Sequence, residues 1–262
     1  MILLLIVVLF ILMSLVGGER GSISFFALVI NAVIGIVCMY MIALGAHPLP
    51  VMIGSSILFG LFTIVYQNGA NTKSLASLLA IAIVIGMTSI LIYYICVNAH
   101  ISGFTEIEWQ DDNASYLSSG VGFKMRHLLL LAMVWGQLGA ISDTAMAVAT
   151  ALNELHNHHP KYTVKQLYQE GMVIGKDILG TTINTLFFVS LGESVMLYLY
   201  YSTYRYSLLK ILNSSSFGQA MFGALLPCIG CILVIPLTAL IFAKLVKRMK
   251  PQNTGNHMGK FE

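Results

Sequence analysis

The sequence predicts an all-α, polytopic membrane helical bundle with about seven transmembrane helices. Two observations carry that expectation. Of 262 residues, 57% are hydrophobic and only 10% are charged, and the apolar residues fall into runs of helix length divided by short breaker-rich stretches. A soluble domain carries about 25% charged residues, because its surface must face water. In lipid the apolar side chains face outward and no such cover is needed. A third observation, the uneven placement of basic residues, bears on orientation rather than fold.

Residues 1–16 are almost wholly apolar. They lack a basic leader region and an Ala-x-Ala cleavage site, so they read as a retained short first helix. Sixteen residues rise about 24 Å, against a hydrocarbon core of about 30 Å. The second run, 23–44, ends at the breaker Gly45-Ala46-His47-Pro48. The third covers 49–66 and stops at the turn Gln67-Asn68-Gly69-Ala70-Asn71. The fourth covers 75–98.

Residues 103–122 are the most polar stretch, with Glu106, Glu108, Asp111 and Asp112 around Trp109. Trp109 and Ile107 suit a short segment lying on the membrane surface. The remaining runs are 127–155, 171–201 and 220–246. The last contains Pro227 and Pro236, tolerated in lipid when neighbours satisfy the freed carbonyls. The helical domain is thus expected over 1–250, and residues 251–262 read as a disordered cytoplasmic tail.

Counting basic residues by side sets an orientation. With seven spans, Arg20, Lys73, Lys161, Lys165, Lys176, Lys244, Lys247, Arg248, Lys250 and Lys260 share the carboxyl-terminal side. Lys124, Arg126, Arg205 and Lys210 lie on the other. The positive-inside rule favours an outside amino terminus and a cytoplasmic carboxyl terminus. The net charge of +3 is then a topology signal, and no clustered basic surface points to nucleic acid.

The segment from Gly136 to Ala147, GQLGAISDTAMA, places an acid deep in the fifth run. Asp143 is about 20 Å of helix from the polar loop at His156. A carboxylate at that depth is costly to bury ionised, so it should face protein or a water-filled path. Such a group is a proton or ion site, or a polar staple between two helices. Gly136, Gly139, Ala140 and Ala147 lie near the same face, and small residues permit close helix packing.

On the sixth run Asp177, Thr181, Asn184 and Phe188 follow helical spacing and share a face. Thr182 and Thr185 lie beside it. The short intervening loop keeps the two helices neighbours, which would let Asp143 meet Asn184 or a threonine hydroxyl. Glu193 lies farther along, lining an outer vestibule or reaching water. Glu154 and Asp177 read as interfacial acids that pair with Lys161, Lys165 or Lys176.

His156, His158 and His159 form a cluster with the chemistry of a divalent-ion site. Its spacing is not that of a helical His-Glu-x-x-His zinc motif, and a polar cytoplasmic turn is the simpler reading. Cys228-x-x-Cys231 has no second pair to complete a four-ligand site, so it reads as two small buried side chains. Asn113-Ala114-Ser115 formally matches a glycosylation acceptor. No Walker, nucleophile-elbow or Rossmann motif is present, and nothing calls for a catalytic residue, metal or cofactor.

These residues resemble the YibE/F-like family of bacterial membrane proteins. The resemblance rests on Gly136–Glu154 (GQLGAISDTAMAVATALNE), on Gly171–Thr185 (GMVIGKDILGTTINT) and on Asn68–Leu75 (NGANTKSL). It covers most of residues 20–245. The family implies a bacterial cytoplasmic membrane and, for short members, a longer companion of the same family. Lipids and, from the depth of Asp143, a proton or small ion are the further partners expected.

A weaker similarity links the Gly-x-x-x-Asp helix and the Gly/Thr-rich helix after it to one half of the SecD/SecF and resistance-nodulation-division membrane folds. There a buried Asp takes part in proton coupling, a role that the similarity carries to Asp143. Asn184, Thr181 and Thr182 are its companions. The absence of a large exported domain between the first two helices sets this chain apart, so translocation or efflux by this chain alone is not implied. The expected function is a transporter or permease subunit. The alternatives are an assembly subunit, or a membrane enzyme built on Asp177, Glu154 or the histidines.

Overall fold

The computed structural model describes residues 1–98 and 125–248. The acidic 106–112 stretch, Asn113 and the 251–262 tail lie outside the described residues. The fold is an all-α polytopic membrane bundle, with six helices among the described residues long and apolar enough to cross a membrane.

The expected first two helices form one helical element, α1 (Ile2–Ala43), broken at Gly18, where φ is 57° and ψ is −136°. The element doubles back there. Phe10 and Phe25 would be about 22 Å apart on a straight helix, yet their ring centroids are 4.9 Å apart. Ser14 Oγ and Ser22 Oγ are 2.6 Å apart. Gly21 makes the close approach possible, because a β-carbon there would run into the Met13 carbonyl. Among the described residues six helices count as candidate spans by length and composition, and the first of them, Leu4–Ala43, is the 40-residue segment folded on itself whose two arms are the expected first and second helices.

Helix α2 (Pro48–Gly60) starts with proline in its first turn, where the missing N–H costs nothing. It runs on into a π-helical turn, Leu61–Tyr66. Helix α3 (Thr72–Asn98) follows the predicted turn. Helix α4 (Met125–His158) continues past its expected end, so His156 and His158 occupy its last turn rather than a loop.

Helix α5 (Val164–Thr203) begins earlier than hydropathy indicated. A capping box sets its start: Thr163 accepts from the Gln166 N–H, and the Gln166 side chain accepts from the Thr163 N–H. A short helix α6 (Leu208–Leu212) precedes α7 (Ser215–Arg248), which runs through both prolines.

The core lies among α3, α4 and α7. Its middle layer joins Ala80, Ile81 and Val84 of α3 to Ile141 and Ala145 of α4 and Val234 of α7. A second layer adds α5 at one end, where Leu167 meets Val148, Leu152, Ala239 and Phe242. A third, at the other end, holds Ile92, Leu130, Val134 and Leu226. Helix α2 and the second arm of α1 close the side through Cys38, Ile42, Val51 and Leu131.

Candidate functional site

Helix α4 has two faces of different chemistry. One is buried and runs through Gln137, Ile141, Thr144 and Val148. The other carries Gly136, Gly139, Asp143 and Ala147, and all four are exposed. Ala140 is half-buried beside them. The predicted grouping of Asp143 with small residues is therefore present, on the side turned away from the chain's own core. A β-carbon placed on Gly136 or Gly139 would meet nothing within 4 Å.

Asp143 lies about 27 Å along the helix from Met125 and about 22 Å from His158. Asn184 is likewise near the middle of α5, about 30 Å from Val164 and about 28 Å from Thr203.

The expected bond between them is not made among the described residues. Thr181 and Thr182 both donate to the carbonyl of Ile178, at 2.9 and 3.0 Å. Thr185 donates to Thr181 O at 3.0 Å. Hydroxyls on a helix find their own preceding turn more cheaply than a distant neighbour. No hydrogen bond joins Asp143 to Asn184 or to these threonines among the described residues. Asp177, Thr181, Asn184 and Phe188 are all exposed, so the shared face predicted for α5 is an open one. Glu154 and Glu193 are exposed as well.

The histidines separate. His156 is half-buried, while His158 and His159 are exposed, and the His159 ring stacks on Tyr162 at 5.0 Å. Among the described residues no three His, Cys, Asp or Glu side chains come together as a metal site would require. Cys231 is buried and Cys228 half-buried, both as free thiols. Thr144 donates to Cys231 Sγ at 3.4 Å.

Sequence reasoning missed the polar contacts inside the bundle. Gln137 is fully buried, and its Nε2 donates to Thr88 Oγ1 at 2.9 Å. Ser77 donates to Ala145 O at 3.3 Å, Asn31 to Thr63 Oγ1 at 2.9 Å, and Trp135 to Ser55 Oγ at 2.8 Å. Each ties two helices, and the Gln137–Thr88 and Ser77–Ala145 bonds do so in the buried interior. Gln137 stood within the Gly136–Ala147 motif. Its 3.6-residue phase with Ile141, Thr144 and Val148 was the signal that placed it opposite Asp143.

Residues 5–248 match the family profile described as YibE/F-like protein. No curated protein and no solved structure matches the chain.

Proposed function

The chain belongs to the YibE/F-like family, and from that premise we propose that it is a transporter or permease subunit in which Asp143 couples to a proton or small ion. A companion membrane protein of the same family closes the Asp143 face. The observation that carries this reading is the open stripe on α4, with an acid at mid-helix flanked by Gly136, Gly139 and Ala147.

An ionised Asp at the centre of a membrane helix costs about 2.5–3.5 kcal/mol on insertion scales. That penalty disfavours leaving the stripe against lipid, and protein or water would relieve it. The glycines admit a second helix at close range. A carboxyl group between two helices that open and close to water releases its proton when wet and rebinds it when dry. The open polar face of α5, with Asn184 and Asp177, supplies groups for such a path.

The same stripe also supports a purely structural role, in which Asp143 specifies assembly. Two measurements separate the readings. Carbodiimide attacks protonated carboxyl groups in apolar surroundings, so Asp143 in the assembled complex should be labelled near neutral pH. Asp143→Asn should preserve the complex on size exclusion and abolish proton flux into liposomes, read with an internal pH dye. A variant that conducts like the parent removes Asp143 from coupling. A complex that falls apart assigns it to assembly.

The uneven basic residues support an outside amino terminus and a cytoplasmic carboxyl terminus in the bacterial cytoplasmic membrane. A reporter fused after Glu262 that is active only outside the cytoplasm would reverse that orientation.

A further inference from the structure

A cavity of about 440 Å³ opens between the second half of α5 and the first turns of α7. We propose that it holds the acyl chain of an anionic phospholipid, with the phosphate at Lys210 and Arg205.

Helix α5 is fastened to α7 at two distant points. At one, Gly171 and Gly175 pack directly on Ala239 and Ile235. At the other, the Tyr201 hydroxyl bonds Ser214 beside the start of α7. The two anchors lie about 39 Å apart along α5. The cavity lies toward the second of them, from Phe187 to Ser202 on α5. Small residues, Ser194, Ala220 and Ala224, line the gap and leave it unfilled.

The lining is chiefly hydrocarbon and aromatic, with Phe187, Leu191, Leu197, Tyr198, Phe217 and Met221. Ser190 also lines it, but its hydroxyl is spent on the carbonyl of Leu186 at 2.9 Å. The lined stretch of α5 runs from Phe187 to Ser202, about 22 Å. One leaflet with its headgroup layer is about 20–22 Å thick. The cavity therefore has the length and chemistry of a single lipid tail and lies within the usual size range of ligand pockets.

One end carries the polar signature of a headgroup zone. Tyr200, Tyr201, Tyr204 and Tyr206 crowd together, with ring centroids 4.7–5.9 Å apart in the contacting pairs. Tyrosines gather at the membrane–water boundary. Lys210 Nζ sits 3.8 Å from the centroid of the Tyr206 ring, and Tyr206 itself lines the cavity. Arg205, the adjoining residue, is exposed and held at φ 50° in the turn. Two cations beside Tyr206, at one end of an apolar slot, favour an anionic head over a zwitterionic one. Glu193, on the same helix, is not among the lining residues.

The test uses the full chain in detergent, titrated with phosphatidylglycerol or phosphatidylcholine and weighed intact by native mass spectrometry. The parent should retain one phosphatidylglycerol roughly tenfold more tightly than phosphatidylcholine. Ala224→Phe fills the slot and should lose the retained lipid of either kind. Ala220→Leu serves the same purpose if the larger ring prevents folding. Arg205→Gln with Lys210→Gln should keep a lipid but lose the preference between heads. Equal retention of the two lipids by the parent overturns the headgroup assignment. A tight lipid that survives in both cavity-filling variants overturns the site.

Discussion

Two pairs of glycines distinguish helices α5 and α4. On α5, Gly171 and Gly175 are buried. A β-carbon at Gly171 would come within 2.8 Å of Ala239 and 2.9 Å of Leu152, and one at Gly175 would strike Ile235. On α4, Gly136 and Gly139 have open space around them. Both pairs look alike in sequence, as small residues at helical spacing in an apolar run. Their settings differ because one pair is consumed in packing this chain and the other is left over. A small-residue motif marks where a helix can come close, and it does not say which chain the helix belongs to.

Changing the glycines is the harshest way to test that contrast. Gly175→Leu should show the largest effect. Its side chain must displace Ile235 in a layer already filled by Val148, Ala239 and Phe242. Overpacking of this kind costs about 1–3 kcal/mol, and more when backbones must part. The expected outcome is a large fall in the melting temperature of the purified chain, partly restored by Ile235→Ala. An unaltered melting temperature would mean that α5 and α7 are not in contact there.

Gly136→Leu sharpens the contrast from the other side. The isolated chain should unfold within about 0.5 kcal/mol of the parent, as surface changes do. Assembly with the companion protein should weaken or fail, as read by co-purification from membranes. A Gly136→Leu chain that still binds its companion normally would show that the α4 stripe is not the contact. If instead that variant destabilises the isolated chain, the two glycine pairs are not different after all.

Much of this arrangement was legible in the sequence, and the parts that were not have physical causes. Apolar runs gave the membrane class because lipid imposes a length and a polarity that few residues can mimic. The runs could not give the doubling of α1. That fold depends on one positive φ at Gly18 and on close passage of Gly21 by Met13, and neither alters hydropathy. The start of α5 was misplaced because Thr163 to Glu170 is polar, although the Thr163–Gln166 capping box announces a helix. The place of Asp143 near mid-helix was readable from counting residues. Its face was not, because α4 has small residues on one side and medium apolar ones on the other, and either side could have turned inward. The polar staple expected at Asp143 exists in the bundle, but its members are Gln137 and Thr88.

That pair provides the mildest test. Gln137 and Asp143 belong to different faces of α4, and of the two, among the described residues, Gln137 makes the side-chain hydrogen bond to another helix. Its amide lies beside Gly230, where any larger residue would meet Ile141, so the side chain is held by packing as well as by its bond. Thr88→Val keeps the shape at α3 and deletes the acceptor, and Gln137→Leu deletes the donor. The coupling energy from the two single variants and the double variant isolates the bond from the packing. Hydrogen bonds between membrane helices average about 0.6 kcal/mol in such cycles and rarely exceed about 1.7 kcal/mol. A value in that range is expected from reversible unfolding in mixed micelles. Asp143→Asn, measured alongside in the isolated chain, should change stability by less, since no group of the chain hydrogen-bonds that carboxyl among the described residues. Coupling near zero for the Gln137–Thr88 pair, with a larger loss from Asp143→Asn, would invert the two faces and place the binding partner of Asp143 inside this chain.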